Sequence, residues 1–532
     1  MNMRKNPKYI AALFFIIFLI LNFGVGCSEL SKRELSSGQT DFKFSSLADI
    51  GSNSENSSFT EGTENTSSVQ NTNGRYAIAG DSSDPKKSRI KNIFLSDKPL
   101  EGFSAEQTTY TVVLADNVKT PPKVTVLQSN GLGKAEITQA KSINGCATVK
   151  LNGIIYTIQF TKKDKSQMFK NTYYKLSVKK KLNVAYFGGS ITYGTGATMP
   201  DRTSYRARVT SWLKNKYPGA AIRETNAAIG GTGTAYGIYR AVTDLKLESA
   251  AEKPDFVFIE FAINDIYDGT DTKTAKSNLE SIIRTIYSYA PESDIFMILT
   301  TDQACMNNDF DMLVAHREIA DAYKIPYLCV GKMLWEEMLS ENNGQYPTAA
   351  IYSKYFSDTV HPADRGYEKY AGYITDFLED AFSAKTAHPK TVEKSFLPTQ
   401  ISEKIPISPQ AMNFKGQTAP SGFTIDGDGH ILSSADGASF TFTFTGTDLK
   451  LWQWGTPQSG SLSVSIDGGK EINVDLYSEL SSYRICNIAS GLENKSHTVK
   501  ITLHATAHGS TMNIWNLLIS GSQSHSGLQL VN

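Results

Sequence analysis

Between about Leu182 and Phe382, apolar runs of strand length (LNVAYFG, DFVFIEFA, DIFMILT and PYLCV) alternate with stretches whose apolar residues recur at helical spacing. Leu279, Ile282, Ile283 and Ile286 form one such stripe, and Tyr205, Val209, Trp212 and Leu213 form another. The runs lack the polar alternation of half-exposed strands, as expected for parallel strands covered on both faces. Strands alternating with helices predict an α/β domain, here residues 181–385. The flanking pattern is different. From 85 to 180 short alternating segments such as TYTVVLAD, KVTVLQ, IIYTIQF and YYKLSVKK are separated by Gly, Pro, Asn and Asp, and they predict a small all-β sandwich. From 412 to 532 the runs ASFTFTFTG, DLKLWQW, SLSVSIDG, HTVKITLHA and MNIWNLLIS predict a second sandwich, of jelly-roll type, joined through a linker at 386–411.

The start of the chain has its own character. Arg4, Lys5 and Lys8 precede the apolar run IAALFFIIFLILNFGVG, and Gly24 and Gly26 lead to Cys27. Residues 1–27 thus resemble a bacterial lipoprotein signal, which implies a lipid on Cys27 and an exported protein anchored to the cell membrane, facing outward. Residues 28–84 are rich in Ser, Thr, Asn and Gly, carry too few large apolar side chains to offset chain entropy, and predict a disordered tether. The segment after it, IKNIFLS…TTYTVVLAD, resembles in pattern the cadherin-like or immunoglobulin-like modules of bacterial surface enzymes. Lys plus Arg and Asp plus Glu both number 53, so no charge excess points to a nucleic-acid partner. Cys146, Cys305, Cys329 and Cys486 show no C-x-x-C spacing, which argues against a zinc site or a disulfide framework and predicts buried free thiols.

Candidate chemistry begins in VAYFGGSITYGTG, where a buried strand ends at Gly188 and Gly189 and presents Ser190. Thr195 standing where lysine is needed argues against a phosphate loop, and the glycine spacing does not fit a dinucleotide fingerprint. Ser190 reads either as a helix cap or as a nucleophile. A nucleophilic serine needs a base oriented by a third group. The α/β domain holds two histidines. His316 lies in the helical pattern DMLVAHREIADAYK and reads as a helix-face residue. His361, in SDTVHPADRGYEKY, follows Asp358 by three residues, a spacing that suits either a carboxylate–imidazole pair or an Asx turn before the helix. Two glycine- or amide-bearing strand ends, NAAIGGTGT and FIEFAINDIYDG, could supply oxyanion donors.

In the order Ser, Gly, Asn, Asp-x-x-His, these four segments resemble the blocks of the SGNH hydrolase (GDSL-type esterase) superfamily. The resemblance covers about 200 residues. It implies a flavodoxin-like three-layer α/β hydrolase domain flanked by the two sandwiches. Carried onto this chain, it implies Ser190 as nucleophile and first oxyanion donor, Gly231 and Asn264 as the other donors, His361 as base and then acid, and Asp358 as its orienting partner. No metal and no cofactor are implied. Gly189 departs from the aspartate of the Gly-Asp-Ser form, and Ala262 stands where the third block commonly has glycine. Arg240, Tyr193, Tyr236 and Tyr267 fall close to the blocks. Trp452 and Trp454, two apart on a strand, face one side and are expected to fill the sandwich core rather than stack on sugar. The implied activity is hydrolysis of O-acyl esters, O-acetyl above all, on a polysaccharide through an acyl-enzyme. Its rivals are an O-acyltransferase using the same triad on cell-surface glycans and a non-catalytic carbohydrate-binding surface protein.

Overall fold

The computed structural model describes residues 89–531, apart from 115–117, 119, 130, 132, 163–164, 166–167, 307–309, 384–394, 396 and 522–527. The expected signal, Cys27 and the tether up to residue 84 lie outside the described residues. The folded chain divides between Lys165 and Ser166 into two compact units.

In the first unit Ile90–Leu95 pairs with Lys98–Pro99 and with Val124–Gln128 in a three-stranded sheet. A four-stranded sheet runs in the order Thr109–Leu114, Ile154–Lys162, Cys146–Leu151, Glu136–Thr138. Ile93, Tyr110, Val124, Val149, Ile158 and Phe160 are buried in one core cluster. Cys146 is free but exposed, against the expectation of a buried thiol, because Ala147, Val149 and Leu151 take the inward positions of its strand. Cys329 is free and half-buried, and Cys486 free and buried.

The second unit opens with a correction. YYKLSVKK, expected as a strand of the first sandwich, lies in a helix over Lys170–Tyr174 that continues as a wider π turn over Lys175–Lys179. Helical spacing turns Phe169 and Leu176 into the core of the following domain, where the Phe169 ring sits 5.0 Å from Phe256 and 5.1 Å from Phe296. The amide and hydroxyl of Thr172 donate to Asp294 Oδ2 at 2.7 and 2.8 Å, which fixes this helix to the start of a central strand.

Five strands make that central sheet: β1 (Lys181–Gly188), β2 (Ala221–Asn226), β3 (Phe256–Glu260), β4 (Asp294–Ile298) and β5 (Tyr327–Leu328). All neighbouring pairs are parallel, and the order is β2-β1-β3-β4-β5. Side chains alternate between two apolar layers: Val184, Tyr186, Phe258 and Phe296 enter one, Ala185, Phe187, Ile259 and Met297 the other. This double burial explains runs without polar alternation. The first layer is covered by α2 (Tyr205–Lys216), α7 (Val330–Glu341) and α8 (Asp364–Ser383). The second is covered by α3 (Thr234–Asp244), α5 (Thr272–Tyr289) and α6 (Asp311–Ala322). Two short helices, α1 (Ser190–Tyr193) and α4 (Ala262–Tyr267), start directly at the carboxyl ends of β1 and β3. Strand order reverses between these two strands, and ligands bind at such a switch point in open parallel sheets.

After the α/β domain, the amides of Ile401 and Ser402 donate to the Glu280 carboxylate on α5 at 2.8 and 2.7 Å. The chain then forms two facing antiparallel sheets. One contains Ile431–Ser433, Met512–Ser520, Asp448–Gly455 and Ser482–Ala489. The other contains Ser461–Ile466, Lys495–His504 and Ser439–Gly446. Phe440, Phe442, Phe444, Leu449, Leu451 and Ile501 fill the space between them. Among the described residues no helix is long and apolar enough to cross a membrane.

Candidate active site

Ser190 is the first residue of α1, and the residue that caps this helix is Gly189, with no side-chain bond to the first-turn amides. The cap reading of Ser190 therefore falls away. Its Oγ lies 2.8 Å from Nε2 of His361, whose Nδ1 lies 2.8 Å from Asp358 Oδ2. The two readings of Asp358 hold together: Oδ2 meets the imidazole, while Oδ1 accepts the amides of Val360 and His361 at 2.8 and 2.7 Å and shapes the turn. Burial alone raises the Asp358 carboxyl, but the hydrogen bonds and charge of His361 and the two turn amides outweigh it and hold the group below its ordinary value. Gln303 braces this loop, its amide donating to Thr359 O at 3.0 Å and its side chain to Asp358 O at 3.1 Å.

Two of the segments expected to carry oxyanion donors come up to the Ser190 turn. Gly230 lies against Ser190, near enough that a Cβ on it would stand 3.6 Å from the serine Cβ, and Gly231 follows with φ +69°. Asn264, 4% exposed, packs its side-chain amide over the backbone of Gly189. A Cβ added to Gly189 would stand 1.9 Å from Asn264 Oδ1. Asn264 thus occupies the space into which a side chain at position 189 would project. Asn264 Oδ1 is buried without a partner, which leaves its NH₂ as the group that can donate to a ligand beside Ser190. A serine held by an Asp–His pair beside amide donors can attack an ester carbonyl and bind the charge that develops on its oxygen.

Residues 186–369 match the model of the GDSL-like lipase/acylhydrolase family. The chain carries a GDSL-type hydrolase domain. This bears out the family resemblance read from the four segments. No curated protein matches the chain. Among solved structures, a two-domain esterase (CEX) active on acetylated mannans is 22% identical with a TM-score of 0.56, over 68% of this chain and 98% of its own. The same esterase co-crystallised with mannopentaose gives 21% and 0.55, over 67% of this chain and 96% of its own. At this identity the likeness is one of fold, and it extends over the hydrolase domain together with the sandwich that follows it.

The hydrolase domain holds its Ser190 turn from both sides. Arg240, buried on α3, donates to Gly188 O at 3.0 Å, Ala227 O at 2.5 Å and Thr232 Oγ1 at 3.3 Å, and its guanidinium lies 4.4 Å from the Phe187 ring centre. Below the turn Glu260, 1% exposed, accepts from Thr300 Oγ1 and Thr192 Oγ1, both at 2.8 Å, and more distantly from the Gly189 amide at 3.4 Å. Burial pushes its carboxyl up to about 7 despite these hydrogen bonds. Tyr267 is held by Asp302, its hydroxyl donating at 2.7 Å, and takes no part in the cavity wall at Ser190. His316 is on a helix as expected, yet it is 1% exposed and paired with Asp265.

Ser190 opens into a cavity of about 320 Å³, which Tyr193, Tyr236 and Arg240 line from the hydrolase side. The opposite wall comes from the C-terminal sandwich: His430, Trp452, Tyr483, Trp515 and Asn516. This corrects the core assignment of Trp452 and Trp454. On their strand Leu449 and Leu451 point into the sandwich, so the tryptophans take the outer face. The Trp452 ring stacks on Tyr236 at 3.8 Å and on Tyr483 at 4.8 Å, while His430 stacks on Trp515 at 4.5 Å. Sequence reasoning missed Trp515, Tyr483 and His430. For Trp515 and Tyr483 the signal was available only as an aromatic on the outer face of a strand, and His430 lies in the loop just before Ile431–Ser433.

Replacing Gly189 by alanine is expected to displace Asn264 and lower kcat on a small ester on the order of 10²-fold with little change in KM. Steady-state kinetics checks this, and unchanged kcat would refute the packing account. Glu260 gives a pH signature. An acid raised in the folded state stabilises the fold fully below its ordinary 4.5 and loses that contribution as pH rises through about 7, a difference of about 3 kcal/mol. Glu260→Gln should flatten this part of the fall in stability between pH 5 and 8, read by urea unfolding. Equal slopes in both proteins would contradict it.

Proposed function

We propose that this protein is a serine esterase that removes O-acetyl groups from an external polysaccharide. The observation that carries the reading is the cavity at Ser190, with a reactive wall from one domain and an aromatic wall from another. Tryptophan and tyrosine faces suit the C–H faces of a sugar ring, and the polar edges supplied by Asn516 and His430 suit its hydroxyls. No long amphipathic insertion between the blocks offers an apolar cover for a fatty chain. The similar two-domain esterase acts on acetylated mannans, which is in line with this substrate class.

In this reading Ser190 Oγ attacks the acetyl carbonyl while His361 Nε2 takes its proton. The oxyanion is met by the Asn264 NH₂ with the amides of Ser190 and Gly231. His361 then protonates the departing sugar hydroxyl, leaving acetyl on Ser190. A water, deprotonated by His361, attacks that ester, and acetate leaves as the proton returns to Ser190. Asp358 keeps the imidazole oriented throughout and stabilises its protonated form. Cys27 carries the lipid that holds the exported enzyme at the outer face of the cell membrane, with residues 28–84 as the tether.

The test is a panel of acetylated mannan, acetylated xylan, short and long chromogenic esters and phospholipid, scored for free acid and for acylated acceptor. Acetate released from a glycan, and abolished by Ser190→Ala, is the expected result. Trp515→Ala and Tyr483→Ala should raise KM on an acetylated oligosaccharide on the order of tenfold, equivalent to ~1.4 kcal/mol, with far less effect on a small acetate. Faster cleavage of long-chain esters would replace this reading with a lipase, and acyl transfer exceeding acid release would make it a transferase. For the anchor, Cys27→Ser should move the protein out of the detergent phase of a Triton X-114 partition, and unchanged partition would refute lipidation.

A further inference from the structure

Asn264 and Asp265 are neighbours in AIND, yet they serve different parts of the site. Asn264 packs on Gly189, whereas Asp265 reaches the loop that carries Gly231. Asp265 Oδ1 accepts the amide and hydroxyl of Thr234 at 2.6 and 2.9 Å, and Asp268 Oδ2 accepts the Gly233 amide at 2.8 Å. These are the first amides of α3, which have no partner inside the helix. A Cβ on Gly233 would stand 2.4 Å from Asp265 Oδ1, so the approach requires glycine there. The other side of Asp265 is fixed by His316 of α6, whose Nε2 lies 2.9 Å from Oδ2. Asp265, His316 and Thr234 are all buried, at 0%, 1% and 0% exposure. His316 Nδ1 is buried without a partner, so the ring hydrogen belongs on Nε2, the one nitrogen with an acceptor in reach.

We infer that Asp265 and His316 are positioning residues that lock the Gly231 loop to the Asn264 helix, so that oxyanion donors from two different strand ends keep one fixed spacing. The inference rests on the esterase chemistry above but not on which ester is the natural one. An oxyanion hole acts through donors placed before the reaction, and misplacement by about 1 Å costs on the order of 10²-fold. Asp268 ties the same loop to the Asn264 segment one residue earlier, at Gly233, while Arg240 holds the loop from its other end, at Ala227 and Thr232.

The test is kcat and KM on a small chromogenic acetate, with thermal unfolding alongside. His316→Leu should lower kcat about 10- to 100-fold with KM within about twofold, and His316→Gln, which retains a donor, should recover most of the loss. Combined with Asn264→Ala, the effect of His316→Leu should be much smaller than in the wild type, because both changes act on one set of donors. If His316→Leu does not fold, Asp265→Asn, which keeps the side-chain shape, takes its place with the same expectation. Wild-type kcat in these variants, a loss confined to KM, or losses that multiply fully with Asn264→Ala would overturn the inference. A wild type that cleaves the small acetate but no glycan would overturn the polysaccharide reading alone.

Discussion

The contact between the Asn264 side chain and the bare backbone of Gly189 sets the rest of the site. It brings an amide from the end of β3 to a serine at the end of β1, across the point where strand order reverses. Parallel pairing of the two strands, with Glu260 opposite Gly188, puts their carboxyl ends level. Each chain then turns at once into a short helix, so Ser190 and Asn264 sit within the first residues beyond the sheet. A side chain at position 189 would displace the Asn264 amide from this contact, so the glycine is what allows it in the form seen here.

The support beneath is unusual for its polarity. Glu260 ends a strand whose other residues are all apolar, and it is buried with two threonine hydroxyls and a backbone amide around it. A carboxyl in such a place lowers stability when ionised, yet it joins the ends of β1, β3 and β4 through Gly189, its own backbone and Thr300. With Arg240 above, the Ser190 turn is held by hydrogen bonds on two sides while its free face meets the cavity. Local stability is given up for a fixed position of Ser190, a trade common at reactive sites.

Much of this was legible in the sequence, for identifiable reasons. Apolar runs without alternation reported a sheet covered on both faces, and Ser190, Asn264, Asp358 and His361 stood out because strand ends and the Asp-x-x-His spacing constrain them locally. The segment 170–179 was misread because YYKLSVKK alternates like a strand, and only packing against Phe256 and Phe296 selects the helix. Trp452 and Trp454 were assigned to the wrong side, because alternation shows that two residues share a face but not which face is inside. His316 looked like an ordinary helix residue, since its partner Asp265 is 51 positions away. The aromatic wall was illegible because it depends on how one domain packs on another.

That wall has a consequence for where a substitution in it is felt. Ser190, Asn264, Asp358 and His361 all belong to the α/β domain, while the surface that faces Ser190 across the cavity is built on a sandwich that contributes none of them. The strands of that sandwich are closed on their inner side by a separate core, whereas Trp452 and Trp515 on the outer face join the second apolar layer of the α/β domain. A substitution at the wall therefore acts first on the packing between the two domains, and leaves the Ser190–His361–Asp358 hydrogen bonds to the α/β domain alone.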